Sequence, residues 1–281
     1  MDNIKVIICD LDGTLYQDKQ YYKRFISHLL KGTSFEAFES VIQAKAEAIM
    51  EGKDQFLLGH LYDKTQDLTG KTLEERLEIK PIINTKGHFE DYLDRRYGFI
   101  GDGWNIVFML ATQLGIEQAA VDRAFARVRE EMLMPKYAIE VNKELIQVLG
   151  ELANHMEGMY MMTNTARPEA IDFTKYIDLE DKFHVIHYGA DKPFGLMKHL
   201  PEILKKHQVD GTEVLAIGDH GYNDLYPVKV VGGHTILTSP YTIYDHIDWS
   251  KRVYTLEQLK EQLQEVLECC KKEKVHSNNE L

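Results

Sequence analysis

Asp10 and Asp12 stand one residue apart at the end of the apolar run Val6-Ile7-Ile8-Cys9, and Gly13-Thr14 follow at once. A continuous apolar run of this kind suits a strand buried on both faces of a parallel sheet. A strand that ends in two carboxylates puts negative charge at its carboxyl end. In open α/β sheets that end is where ligands bind. Two carboxylates so close do not both ionise cheaply: either a cation sits between them or one keeps a proton. A hard divalent cation such as Mg²⁺, sharing its coordination with a substrate phosphate, suits the pair. The competing reading is a turn, because Asp and Gly commonly follow strands.

Two more apolar runs end in chemistry. Gly158-Met159-Tyr160-Met161-Met162 leads into Thr163-Asn164, and Val214-Leu215-Ala216-Ile217 leads into Gly218-Asp219. In a parallel sheet all three endings fall on one edge. Core packing requires the apolar runs; it does not require each to end in an acid or a hydroxyl. His184–Gly189 and Gly233–Thr238 are weaker strand candidates. Helices fall between the strands. Asn142 caps one through His155, with Leu145, Ile146, Leu149 and Leu152 on one face. Pro168 and Pro193 open two more, the second reaching about His207. Thr255-Leu256-Glu257-Gln258 is a capping box for a last amphipathic helix, and Lys271–Leu281 are expected to fray. This alternation predicts a three-layer α/β/α, Rossmann-like core with a parallel sheet and right-handed crossovers.

The stretch from Tyr16 to about Lys136 has a different texture. Thr33-Ser34-Phe35-Glu36 predicts a capping box for a helix through about Met50, and Thr72-Leu73-Glu74-Glu75 predicts another. Val121, Phe125, Val128 and Met132 recur at helical spacing, and Asp91–Tyr97 and Trp104–Leu110 read as helical. Pro135-Lys136-Tyr137 breaks the pattern and marks a hinge. Residues 17–138 are therefore expected to be an all-helical insertion with its own small core, leaving 1–16 and 139–281 for the α/β domain. Arg95, Arg96 and Trp104 either face a substrate or belong to a solvated face and that small core.

The 281 residues are 44% hydrophobic and carry a formal net charge of −12, so a sizeable core is expected. The acidity argues against binding nucleic-acid polymers or anionic membranes. It also repels phosphate, so a phosphate site here needs local cations. Cys9 reads as a small buried hydrophobe inside its strand, while Cys269 and Cys270 adjoin near a polar tail. No disulfide or zinc spacing is visible. No secretory leader and no membrane-length apolar run is apparent, and a cytoplasmic location is the expectation.

The ordered motifs resemble those of the haloacid dehalogenase (HAD) superfamily of phosphohydrolases. Asp10-Leu11-Asp12-Gly13-Thr14-Leu15-Tyr16 matches the first motif, Thr163-Asn164 the second and Lys192-Pro193 the third. Gly218-Asp219-His220-Gly221-Tyr222-Asn223-Asp224 matches the fourth. The helical stretch between the first two resembles the family's cap. The resemblance implies that Asp10 is a nucleophile forming an aspartyl-phosphate, with Asp12 as general acid and base. It implies that Mg²⁺ is held by Asp10, the Asp12 carbonyl, Asp219 and Asp224, and that Thr163, Asn164 and Lys192 bind phosphate. The structural alternatives are a strand-ending turn at Asp219, helix capping by Thr163 or Asn223-Asp224, and a solvated Lys192. His220 is expected to face solvent. The implied activity is hydrolysis of a small phosphorylated metabolite. The alternatives are a phosphomutase using the same phospho-aspartate and a non-catalytic binding protein of this fold. Hinges near Tyr16–Lys19 and Lys136–Val141 would let the cap act as a lid.

Overall fold

The computed structural model describes residues 3–137 and 139–279, with side chains as far as Lys272. In chain order the first elements are β1 (Val6–Cys9), α1 (Tyr21–Leu30), α2 (Glu39–Met50), β2 (Leu61–Asp63) and α3 (Leu73–Leu77). Then come β3 (Tyr97–Phe99), α4 (Gly103–Leu114), α5 (Gln118–Met132), α6 (Lys143–Ala153), β4 (Gly158–Thr163) and α7 (Arg167–Tyr176). The last are β5 (Val185–Tyr188), α8 (Phe194–His207), β6 (Val214–Gly218), α9 (Tyr226–Lys229), β7 (His234–Thr238), β8 (Lys251–Val253) and α10 (Leu256–Asn279).

Six strands form one sheet in the order β5-β4-β1-β6-β7-β8, every neighbouring pair parallel. With its flanking helices this is a Rossmann-like α/β fold. β1 lies between β4 and β6 and is buried along its whole length, which explains its unbroken apolar run. From β1 the chain continues to β4, and from β6 it continues to β7 on the opposite side. The strand order thus reverses between β1 and β6, and a crevice is expected at their carboxyl ends. Asn142 caps α6 through a hydrogen bond from the Leu145 amide at 3.0 Å, and the expected apolar face of α6 is buried. Thr255 likewise accepts from the Gln258 amide at 3.1 Å at the start of α10. β8 escaped the sequence reading because a three-residue edge strand shows no alternation. α10 continues through Asn279 where fraying was expected; residues 280 and 281 lie outside the described residues, as does Ala138 within the expected hinge.

The chain divides into two compact units. One comprises residues 1–17, 140–240 and 249–281, the other 18–139 and 241–248. The second unit gathers α1, α2, α4 and α5 around an aromatic centre. Trp104 stacks on Tyr21 at 4.2 Å between centroids, and Phe25 packs against Trp104 at 5.6 Å and Phe125 at 6.1 Å. Trp104 therefore belongs to that small core. The unit is not all helical, as expected from sequence, because β2 and β3 pair as an antiparallel ribbon. Arg96 is part of it: its guanidinium bonds Asp63 on the facing strand at 2.5 and 2.9 Å. Asp91–Tyr97 accordingly forms a short 3₁₀ turn and enters β3, not a helix. Thr33 does not open a helix either. Its hydroxyl accepts from the Phe35 amide at 3.1 Å in a local turn; a 3₁₀ turn over Glu36–Phe38 follows, and α2 then runs from Glu39 to Met50, where the expected helix ends. Thr72 does form the expected capping box, for the one-turn helix α3.

Residues 241–248 complete this second unit, although the sequence reading left them in the α/β part. The Tyr244 amide donates to the Leu58 carbonyl at 2.6 Å. Gly59 makes that approach possible. Its φ is +102°, and a Cβ there would lie 2.5 Å from the Tyr244 carbonyl carbon and 2.6 Å from the Asp245 nitrogen. Gly70 has a similar φ of +74° but open space around its Cβ position. Gly70→Ala should therefore cost about 1 kcal/mol, from the left-handed backbone alone, and Gly59→Ala about 3 kcal/mol or more, because main chain must move as well. Urea unfolding read by Trp104 fluorescence in a Trp249→Phe background checks the difference. Equal losses would mean that the 241–248 segment is not held as described.

Candidate active site

The carboxyl ends of β1, β4 and β6, and the loop before α8, carry the candidate residues. The Asp10 amide continues the ladder by donating to the Ile217 carbonyl at 2.9 Å, which brings the ends of β1 and β6 together. Asp10 follows β1, Thr163 ends β4, Asp219 follows β6, and Lys192 precedes α8.

Lys192 is the centre of the cluster. Its ammonium is buried and lies 2.6 Å from Asp10 Oδ1 and 2.7 Å from Asp224 Oδ1. Thr14 donates to the other Asp10 oxygen at 3.0 Å. Burial pushes the Asp10 carboxyl up to about 7; Lys192 pulls against this rise and Asp224 adds to it. Asp224 is raised by burial too, again against the pull of Lys192. Burial disfavours the Lys192 ammonium, but the two carboxylates reverse that and hold its pKa above the ordinary lysine value. Lys192 is thus a buried ion-pair partner and not a solvated residue at a helix start. Neighbouring Cys9 is buried, which drives its thiol pKa well up and keeps it an inert thiol.

Asn164 holds Lys192 in place. Its amide oxygen accepts from the Lys192 backbone N–H at 2.7 Å, and its amide nitrogen donates to the Lys192 carbonyl at 3.2 Å. Asp224 sits on a π-helical turn over Gly221–Leu225. His220 caps that turn: its Nδ1 accepts from the Asn223 amide at 3.1 Å, and its own amide donates to Asp224 Oδ2 at 3.1 Å. His220 is buried, contrary to the solvent-facing position expected, because its ring is consumed in shaping this turn.

Two glycines give the carboxylates room. A Cβ on Gly13, whose φ is +77°, would lie 2.2 Å from Asp219 Oδ2. One on Gly218 would lie 2.3 Å from Asp224 Oδ2 and 2.4 Å from Asp224 Cβ. Asp10, Asp219 and Asp224 can each offer an oxygen such that all three lie within 4.8 Å of one another. Asp10 and Asp224 are buried and Asp219 half-buried, and such a set of oxygen donors suits a hard divalent cation.

The Asp12 carboxylate is not one of that group. Hydroxyls surround it: Tyr16 donates to Oδ1 at 2.5 Å, while Thr165 at 2.8 Å and Thr163 at 3.1 Å donate to Oδ2. Sequence reasoning assigned no role to Thr14, Thr165 or the Tyr16 hydroxyl. Thr14 and Tyr16 lay inside the first motif, where their spacing to Asp10 and Asp12 was the available signal. Thr165 lies beyond the end of its strand, where periodicity no longer predicts direction.

No curated protein matches the chain by sequence. Among solved structures, a candidate HAD-hydrolase of Bacillus subtilis, described in a magnesium-bound form showing interdomain movement, is similar at 15% identity. It covers 93% of this chain and 99% of its own, with a TM-score of 0.51. A candidate phosphatase of Clostridium difficile is similar at 15% identity over 94% of this chain and 100% of its own, with a TM-score of 0.50. At such identities the likeness is one of fold. The sequence itself matches haloacid dehalogenase-like hydrolases over residues 4–232, from the first strand to beyond the Asp219–Asp224 loop, and the chain belongs to that family of hydrolases.

Proposed function

We propose that this hydrolase is a Mg²⁺-dependent phosphatase that cleaves a small phosphate monoester through an aspartyl-phosphate on Asp10. The observation that carries the reading is the pairing of two unlike carboxylates. Asp10 is buried against the Lys192 ammonium, and Asp12, two residues on, is held by hydroxyls instead. One is suited to attack phosphorus and the other to move a proton.

In the first half-reaction an Asp10 oxygen bonds to phosphorus while the bond from phosphorus to the leaving oxygen breaks. The Asp12 carboxyl gives its proton to that leaving oxygen, which departs as the alcohol. In the second, Asp12 takes a proton from water as the water oxygen bonds to phosphorus. The acyl–phosphate bond breaks, and Asp10 and inorganic phosphate are released. Lys192 meets the charge on the transferring oxygens, and the Thr163 hydroxyl would join it by turning its one proton from Asp12 to a phosphoryl oxygen. Mg²⁺ held by Asp10, Asp219, Asp224 and the Asp12 carbonyl would supply further positive charge there. Asn164 acts through Lys192 by fixing the lysine's backbone.

Release of inorganic phosphate from 4-nitrophenyl phosphate tests this reading. Asp10→Asn should abolish it, and removal of divalent cations with EDTA should do the same, reversed by added Mg²⁺. Full turnover by Asp10→Asn would overturn the nucleophile assignment, and full turnover after chelation would overturn the cation. Lys192→Met should lower kcat by about 10²-fold or more, as for other groups aimed at developing charge. Asn164→Ala should lower it by about tenfold, the scale of an outer partner that orients a reacting group. An Asn164→Ala enzyme with wild-type kcat would mean that the Lys192 loop holds itself.

A further inference from the structure

The Asp12 carboxylate is bound from two directions. Tyr16, four residues along the same loop, donates to Oδ1 at 2.5 Å. From the end of β4, Thr165 and Thr163 donate to Oδ2 at 2.8 and 3.1 Å. Thr165 contributes twice, because its amide also donates to the Thr163 hydroxyl oxygen at 3.0 Å and so aims that hydroxyl at Asp12. The main chain that carries both threonines is pinned in turn. The Ala190 and Gly189 amides donate to the Thr163 and Thr165 carbonyls, each at 2.9 Å. The Tyr16 ring is buried and packs on Phe173 at 4.7 Å between centroids, which directs its hydroxyl.

Tyr16, Thr163 and Thr165 each meet Asp12 with a hydroxyl, and that choice has a chemical consequence. A hydroxyl can donate to a carboxylate and accept from a carboxylic acid without moving its oxygen. An ammonium or a guanidinium can only donate. Hydroxyl partners can therefore stay in place around a carboxyl group as it gives up and regains a proton. Asp10 and Asp224, by contrast, share the Lys192 ammonium.

We infer that Tyr16 and Thr165 are positioning residues that hold Asp12 for proton transfer to the leaving oxygen. This inference rests on the phosphatase reading above and deepens it. In the step concerned the proton passes from the Asp12 carboxyl to the leaving oxygen as the phosphorus–oxygen bond breaks. A leaving group that is already a stable anion needs that proton little, whereas a basic one needs it greatly. Loss of the positioning groups must therefore hurt poor leaving groups more than good ones.

The test compares phenyl phosphate with 4-nitrophenyl phosphate, two substrates of similar shape whose leaving groups differ in basicity. The quantity is kcat/KM, which covers steps through transfer to Asp10 and excludes hydrolysis of the intermediate. For Tyr16→Phe and for Thr165→Val the ratio of phenyl to 4-nitrophenyl phosphate should fall by about tenfold, a tenth or less of a general acid's usual range. Thr165→Ser, which keeps the hydroxyl, should restore the wild-type ratio. Tyr16→Phe keeps the ring against Phe173, so it remains informative should Thr165→Val fail to fold. Asp12→Asn is the reference. A selective loss in Asp12→Asn without one in Tyr16→Phe would overturn the positioning inference and leave the phosphatase reading standing. A uniform loss for both substrates in Asp12→Asn would overturn the acid role of Asp12 itself.

Discussion

A single buried ammonium, that of Lys192, organises the candidate site. It bonds to Asp10 at 2.6 Å and to Asp224 at 2.7 Å, in a place where water contributes little solvation. Charges taken out of water are tolerated only when their partners stay in register, and losing one partner of such a set costs about 3–5 kcal/mol. The rest of the edge is built to keep them there. Parallel pairing of β1 with β4 and β6 brings the three chain ends to one level. The Asn164 amide ties the β4 end to the Lys192 backbone with two hydrogen bonds. The π-turn capped by His220 presents Asp224 from the far side. Gly13 and Gly218 are required because the Asp219 and Asp224 carboxylates occupy the space that their side chains would fill.

The same edge gives two neighbouring aspartates opposite surroundings. Asp10 meets an ammonium and the hydroxyl of Thr14; Asp12 meets the hydroxyls of Tyr16, Thr163 and Thr165. Side chains of one type acquire different chemistry when different groups hold them. The turn that the chain enters at Asp12, after the strand has ended at Cys9, starts this separation by sending Asp10 and Asp12 to different partners. Long-range contacts complete it, because Lys192, Thr163 and Thr165 all come from elsewhere in the chain.

The second unit follows a different logic. Its helices surround stacked and edge-on aromatic rings, and its ribbon is held by main-chain pairing and by the Arg96–Asp63 pair. The segment 241–248 joins it through the Tyr244–Leu58 backbone bond, at a glycine that no side chain can replace without moving main chain. Among the described residues, no helix in either unit is long and apolar enough to cross a membrane.

The α/β fold was legible because its signals are local and strong. Buried parallel strands need unbroken apolar runs, and β1, β4 and β6 supply them at Val6–Cys9, Gly158–Thr163 and Val214–Gly218. Caps at Asn142, Thr72 and Thr255 were readable for the same reason, since cap and helix lie within one turn. Signals shorter than a period were not readable. The three-residue strands β2, β3 and β8 show no alternation, and the turn at Thr33 mimics a helix start in composition alone. By itself the sequence determined which residues end the buried strands, and so which acids, hydroxyl and lysine are available to one sheet edge. Only the tertiary structure decided how they pair: that Lys192 joins Asp10 to Asp224, that Asn164 turns to the lysine's backbone, and that Tyr16 and Thr165 close on Asp12. The reason is physical. Strand patterning is set by burial along a few neighbouring residues, whereas the direction of a polar side chain past a strand's end depends on hydrogen-bond partners that only the packed chain brings within reach.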